Sequence, residues 1–541
     1  MRSVLAVPVV ALSLVTAAAA SARPADVSLN ILAPGEAGGL PTTVHSTDQA
    51  TLYDSLTPLS GQQLTLDQVR AHYKPESFAP TGKATIEPTP RKGLTIKRDQ
   101  WGVAHIYGKT RADAWWGVGW VAGEDRALLA AIGRGAARAS TADVPSLDAF
   151  GLVTSARTFT PSKQATALLD REQKLLRTTY GKKGRQMLAD MRVYAQGVTA
   201  QFRKAGIKQP PWTVDDEIAV SSFIGSIFGN GGGTEATNDA LLAKLRADLG
   251  SAKGQSAWQD LMAANDPEAT TTARKTFRYG NKVAGPTKAS PLIDNGSLEL
   301  APNPAATTAS ARTASAGLPA APAPRLASNF LVVAPKRSAD GDPLAVMGPQ
   351  LGYYYPEIVF EADVHAPGIH AQGVFTPGGG PYMLIGRTQN YAWSLTTATS
   401  DNRDAFLEQL CNPDGSAPTR DSDHYRYKGR CRAMSTFDAG SIAGAGEARF
   451  HRTVHGSVVG TATVKGAPYA IAVDRTTYGR DALSIAAMRD MTLGLGSTPH
   501  KFFKAANEFG YRFNWAYVNR HHAAYFSSGQ LPKKAPGTNP M

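Results

Sequence analysis

A mixed α and β fold is what this sequence predicts, on three observations. Apolar residues make up 42% of the 541 positions, enough for a large core in a chain well beyond the roughly 100–200 residues typical of one domain. Between residues 110 and 250 the patterns are helical, buried or amphipathic. From Ser328 onward they become short β-rich runs separated by turn formers. No internal repeat with solenoid spacing is present.

Residues 1–22 read as an export signal: Arg2, an apolar run from Val4 to Ala20, then Ala20-Ser21-Ala22 for cleavage. A secreted or periplasmic protein is expected. Residues 23–90 are rich in Pro, Thr, Ser and Gly and form an extended lead-in with one short helix in LTLDQVRAHY. In residues 92–109, KGLTIKRDQWGVAHIYGK, two β-rich runs flank the turn signal Asp99-Gln100-Trp101-Gly102.

A helical stretch of small and apolar residues from about Thr110 to Arg138 should be buried. Residues 165–205 include an amphipathic helix. Residues 213–229 open with Thr213 and Asp215-Asp216, acceptors for free N–H groups at a helix start. Another helix is expected from Asn238 to Leu249, stopped by Gly250, with the Gly-rich turn GNGGGTE before it. Composition shifts after Gly285. Residues 301–326 are mostly Ala, Pro, Ser and Thr, which cannot bury a core and should be disordered.

Several function classes are excluded. Net charge is +13, but Lys and Arg are scattered, with no five-residue basic block. No zinc-finger, RNA-recognition or Walker A pattern occurs, so no nucleic-acid partner is expected. No later apolar run reaches the ~18 residues of a membrane span, so no stable membrane insertion is expected. The eleven histidines show no HExxH spacing. The two cysteines, Cys411 and Cys431, flank a polar, turn-rich segment and should pair in an exported chain.

The stretch RLASNFLVVAPK raises the chemical question. FLVVAP (330–335) and PLAVMGPQ (343–350) flank Asp340-Gly341, a strong hairpin signal. Pairing brings Ser328 near Gln350. A buried hairpin accounts for the apolar residues but not for a Ser-Asn start directly after a low-complexity segment. No G-x-S-x-G elbow is present. Cleavage before Ser328 would place a free amine, with an ordinary pKa of about 7.7–8.0, on the same residue as a hydroxyl that needs a base.

The chain resembles the penicillin acylase family of N-terminal-nucleophile hydrolases. The motifs are RDQWGVAHIYG, GWVAGEDRALL, SNFLVV, GPQLGYYYPE, IGRTQNYAWSLTT, SDNRDAF, and FNWAYV followed by YFSSGQLP. The resemblance implies an αββα sandwich of two stacked antiparallel sheets flanked by helices, here expected to be C-terminally incomplete. It implies a first chain at 91–285, a spacer at 286–327, and a second chain at 328–541, both chains from one precursor.

The implied catalytic residues are Ser328 as nucleophile, Gln350 orienting its amine through a carbonyl, and the Thr397 N–H with Asn514 as oxyanion donors. Substrate-pocket positions would be Leu351, Ile385, Thr399 and Phe228. Glu235, Asp401 and Asp404 would bind a structural Ca²⁺, hard oxygens suiting that ion; no organic cofactor is implied. Where relatives tend to place an arginine after GxLP, this chain has Lys533 and Lys534. The expected activity is an amidohydrolase acting on a small N-acyl substrate: a β-lactam, an acyl-homoserine lactone or a lipopeptide. The alternative is an inactive or fragmentary exported binding protein on the same scaffold.

Overall fold

The computed structural model describes residues 65, 77–154, 157–262, 289–304, 327–338, 341–350, 358–398, 401–535 and 538–539. The expected export signal, most of the lead-in with its short helix, residues 305–326 of the spacer, Leu351 and Thr399 lie outside the described residues.

In chain order, β1 (Thr85–Glu87), β2 (Leu94–Arg98) and β3 (Ala104–Gly108) lead into α1 (Arg111–Asp125), α2 (Ala127–Thr141) and α3 (Ala149–Thr154). Next come β4 (Phe159–Pro161), α4 (Lys163–Tyr180), α5 (Lys182–Lys204), α6 (Val214–Phe228), α7 (Glu235–Leu249) and α8 (Ser251–Leu261). β5 (Glu299–Leu300) precedes a hairpin of β6 (Ala327–Val333) and β7 (Leu344–Gln350). Then follow β8 (Phe360–Ala366), β9 (Ile369–Phe375), β10 (Ile385–Thr388), β11 (Tyr391–Thr397) and β12 (Arg403–Cys411). The series β13 (His424–Tyr427), β14 (Arg430–Ala433), β15 (Ser435–Ile442), β16 (Gly446–Thr453), β17 (Gly456–Val464) and β18 (Ala467–Arg475) leads to α9 (Ile485–Thr492) and α10 (Pro499–Ala506). β19 (Phe513–Asn519) and β20 (Ala523–Ser527) end the series.

The first sheet runs β1-β2-β3-β8-β9-β10-β11-β19-β20, and the second runs β14-β13-β12-β18-β17-β16-β15-β4 with β5 on β17. The expected α+β class is what the structure shows. One pair departs from the antiparallel expectation: β3 and β8 run parallel, with Ile106 opposite Val364. A parallel pair needs a long crossover, and the helical region between these strands supplies it.

Local chemistry explains the helices. Thr110 caps α1 and Asp113 closes a reciprocal capping box; Thr213 and Asp216 do the same for α6, as its sequence predicts. α1 buries Trp115, Trp116 and Trp120. It crosses α5 with backbones in close approach: a Cβ on Gly119 would lie 2.1 Å from the Tyr194 carbonyl oxygen, and one on Gly197 2.1 Å from that of Trp116. The amphipathic stretch expected within 165–205 is α5, and α4 precedes it across Gly181, whose φ is +53°. α7 begins three residues earlier than expected, which puts Glu235 at its first turn.

Inside the expected spacer, residues 289–304 lie against the second sheet. Ile293 is buried, Asp239 accepts the Leu292 and Ile293 N–H groups, and β5 pairs with β17. Cys411 and Cys431 form a disulfide. It closes a loop with a sequence separation of 20, a constraint that contributes roughly 3 kcal/mol. No helix among the described residues is long and apolar enough to cross a membrane.

Candidate active site and cation cluster

Ser328 is the second residue of β6 and is half-buried. Gly341 takes φ +80° at the turn, a conformation that costs glycine little. The register sets Ser328 opposite Pro349 and Ala327 opposite Gln350. Ser328 is therefore one step from Gln350, as the hairpin reading expects. The hairpin lies against β11 and β19, the strands that carry Thr397 and Asn514.

Those two residues meet where β11 and β19 pair. Thr396 faces Asn514 and Thr397 faces Phe513. The Ala398 N–H donates to the Arg512 carbonyl at 3.2 Å. Ladder alternation then turns the Thr397 N–H away from β19. Neighbouring β10 pairs with β11 only at Ala392 and Trp393, so Thr397 lies beyond that pairing.

The Asn514 Nδ2 donates to the Thr397 carbonyl at 3.4 Å, and the Tyr525 hydroxyl donates to Asn514 Oδ1 at 2.5 Å. The hydroxyl fixes which end of the amide is the acceptor and leaves the NH₂ end as donor. Two N–H groups thus sit at one strand end, a chemistry suited to stabilising an oxyanion. Of the expected pocket positions, Phe228 closes α6 and Ile385 opens β10; both are half-buried and pack on the main core.

Glu235, Asp401 and Asp404 come together, with ligand-capable oxygens all within 4.8 Å of one another. The Gly-rich turn makes this approach feasible. Gly232 has φ +77°, and a Cβ there would lie 1.9 Å from Asp401 Oδ1. The same glycine bridges to Arg403, and Asn402 Oδ1 accepts the Gly231 N–H at 2.9 Å. Burial, then the charges of Asp401 and Asp404, push the Glu235 carboxyl up.

The oxygen-rich set suits a hard cation, but a side chain already provides one. The Lys534 ammonium lies 2.5 Å from Asp401 and 4.0 Å from Glu235, and bonds Asp404. Burial opposes its charge, but Asp401 and Asp404 outweigh that and hold Lys534 above the ordinary lysine value.

The profile of the family described as penicillin amidase matches residues 94–541. The chain belongs to the penicillin amidase family. Penicillin G acylase of Escherichia coli is 22% identical over 491 residues, 83% of this chain and 55% of that enzyme. Acyl-homoserine lactone acylase QuiP of Pseudomonas fluorescens (strain Pf0-1) is 36% identical over 83 residues, 15% of this chain and 10% of that protein. This chain thus spans about half the length of the E. coli enzyme. Thermostable penicillin G acylase from Alcaligenes faecalis in its orthorhombic form is 25% identical, with 39% of this chain and 36% of that chain covered and a TM-score of 0.33. The tetragonal form is 20% identical, with 36% and 100% covered and a TM-score of 0.23.

Within this penicillin amidase chain, three groupings carry no separate signal in the sequence. Tyr525 reaches Asn514 only because β20 pairs with β19. Arg98 gathers Glu87, Glu124 and Asp125 in a buried cluster. His105 bonds Asp363 at 2.9 Å, and His365 bonds the same oxygen at 2.5 Å. Burial opposes charge on His105, but its bonds to Asp363 and Asp99 push its pKa up to about 9. This last network ties the DQWG turn to β8.

Proposed function

We propose that this protein is an exported amidohydrolase of penicillin amidase type, with Ser328 as its N-terminal nucleophile. Opening of the Ala327–Ser328 peptide bond frees the Ser328 α-amine. Ser328 Oγ attacks the substrate amide carbonyl and gives its proton to that amine, oriented by the Gln350 carbonyl. The Thr397 N–H and the Asn514 NH₂ donate to the oxyanion. Collapse breaks the C–N bond, the leaving amine takes the proton, and an acyl ester remains on Ser328. Water then adds to the ester with the same amine as base, releasing the acid.

The observation that carries this reading is the hairpin of Ser328 lying against the strands of Thr397 and Asn514, with the Asn514 amide oriented by Tyr525. The family match supports it, and the two relatives named as acylases point to a small N-acylated substrate. β-Lactam, acyl-homoserine lactone and lipopeptide amides are the classes to screen. Glu235, Asp401 and Asp404 would hold a structural Ca²⁺ that joins the segment before the spacer to the segment after it.

The test is amide turnover by wild type and two variants. Ser328→Ala should leave one uncut chain with background turnover. Asn514→Ala should still be cut at Ser328 but lose about 10²–10³ in kcat. Full turnover by Ser328→Ala would refute the assignment.

A further inference from the structure

We infer that Lys534 is a tethered cation for the Glu235–Asp401–Asp404 cluster and competes there with a divalent ion. Three carboxylates converge on one ammonium, and Glu235 Oε2 is buried without a hydrogen-bond partner. The other nearby cations are differently engaged. Arg403 Nε is buried without a hydrogen-bond partner. Arg512 donates to the Asp401 backbone carbonyl at 2.8 Å. Asp474 adds a fourth negative charge beside Asp404. Among the described residues, Lys534 is the side chain that pairs with all three carboxylates.

The position of Lys534 makes the exchange feasible. Its backbone follows β20 with an anchor on each side. Before it, the Gln530 N–H donates to the Gly510 carbonyl at 2.9 Å; after it, Asn539 Nδ2 donates to the Ser290 carbonyl at 2.6 Å. The ammonium rides on a flexible four-carbon stem, so it can leave while the backbone stays in place. A divalent ion entering among the carboxylates must displace it, which lowers the ion's apparent affinity. The lysine thereby joins Glu235, before the spacer, to Asp401 and Asp404, after it, without a metal. This inference is independent of Ser328 chemistry and can be tested in Ser328→Ala.

The experiment is calcium titration by calorimetry on full-length wild type, Lys534→Gln and Lys533→Gln. Lys533 is exposed and adjacent, so its variant removes the same charge without entering the cluster. Lys534→Gln should bind Ca²⁺ at least about tenfold tighter than wild type, a difference of about 1.4 kcal/mol, while Lys533→Gln stays within about twofold. Equal affinity in wild type and Lys534→Gln, or equal gains in both variants, would overturn the inference. A second measurement needs no variant. Carbodiimide treatment of wild type in EDTA should form an amide between Lys534 and Asp401 or Asp404, seen by peptide mass mapping and suppressed by added calcium. No such amide, or one indifferent to calcium, would also overturn it.

Discussion

Two places in this molecule surround one cation with three carboxylates, and they are built differently. Arg98 meets Glu87 at 2.8 Å, Asp125 through both terminal nitrogens at 2.8 Å, and Glu124 at 3.4 Å. Lys534 meets Asp401, Asp404 and Glu235. The Arg98 side chain is 4% exposed, against 28% for Lys534. A planar guanidinium presents several fixed donors, whereas an ammonium is a compact point charge on a mobile stem. The first cluster is closed: Trp120 also donates to Glu87, and Arg98 also donates to the Gly102 carbonyl. The second leaves its cation partly exposed, as the proposed exchange requires. Equal charge stoichiometry does not give equal function; burial and cation geometry decide between a permanent joint and a site.

The strongest way to break this comparison is to remove each cation in turn. Arg98→Leu should destabilise the fold by about 3–5 kcal/mol, because it leaves buried carboxylates unpaired. Urea unfolding measures this. Lys534→Gln in EDTA should cost far less, about 1 kcal/mol or below, as for a partly exposed pair. If the two costs were alike, the closed and open clusters would be the same kind of structure.

A milder test uses pH. Burial, and then the hydrogen bond and charge of Glu87, push the Glu124 pKa up to about 7. A carboxyl raised in the folded state contributes stability that is complete below its ordinary value of about 4.5 and is lost as pH rises through about 7. Glu124→Gln keeps the neutral form at every pH. Its melting temperature should match wild type near pH 4 and exceed it at pH 8. A constant difference across that range would show that Glu124 does not titrate this way. The smallest effect is expected from Lys534→Arg, which keeps the charge and should shift stability by less than about 1 kcal/mol.

Much of the fold was legible because its signals are local. Thr213 with Asp216, Gly250 after α7 and Gly341 in the hairpin each satisfy a backbone demand within a few residues. The candidate nucleophile stood out for a different reason: an apolar strand opening on Ser-Asn after a low-complexity run has no ordinary structural explanation. The pairing of Thr397 with Asn514 was accessible only through the family resemblance, since their strands are joined by more than a hundred residues of other structure. Lys534 stood out after GxLP, but what it pairs with was not legible. Its partners lie at 235 and at 401–404, and Gly232 brings those loops together only in the folded chain. The parallel β3–β8 pair was missed because no local pattern specifies which strands become neighbours.

The proposed chemistry requires Ser328 to supply both its hydroxyl and its amine. The direct measurement is mass mapping of the purified wild-type protein after brief exposure to an N-acyl substrate and acid quench. The account predicts a chain that begins at Ser328 and carries the acyl mass on that residue. An uncut chain turning over substrate, or the acyl group on another residue, would contradict it.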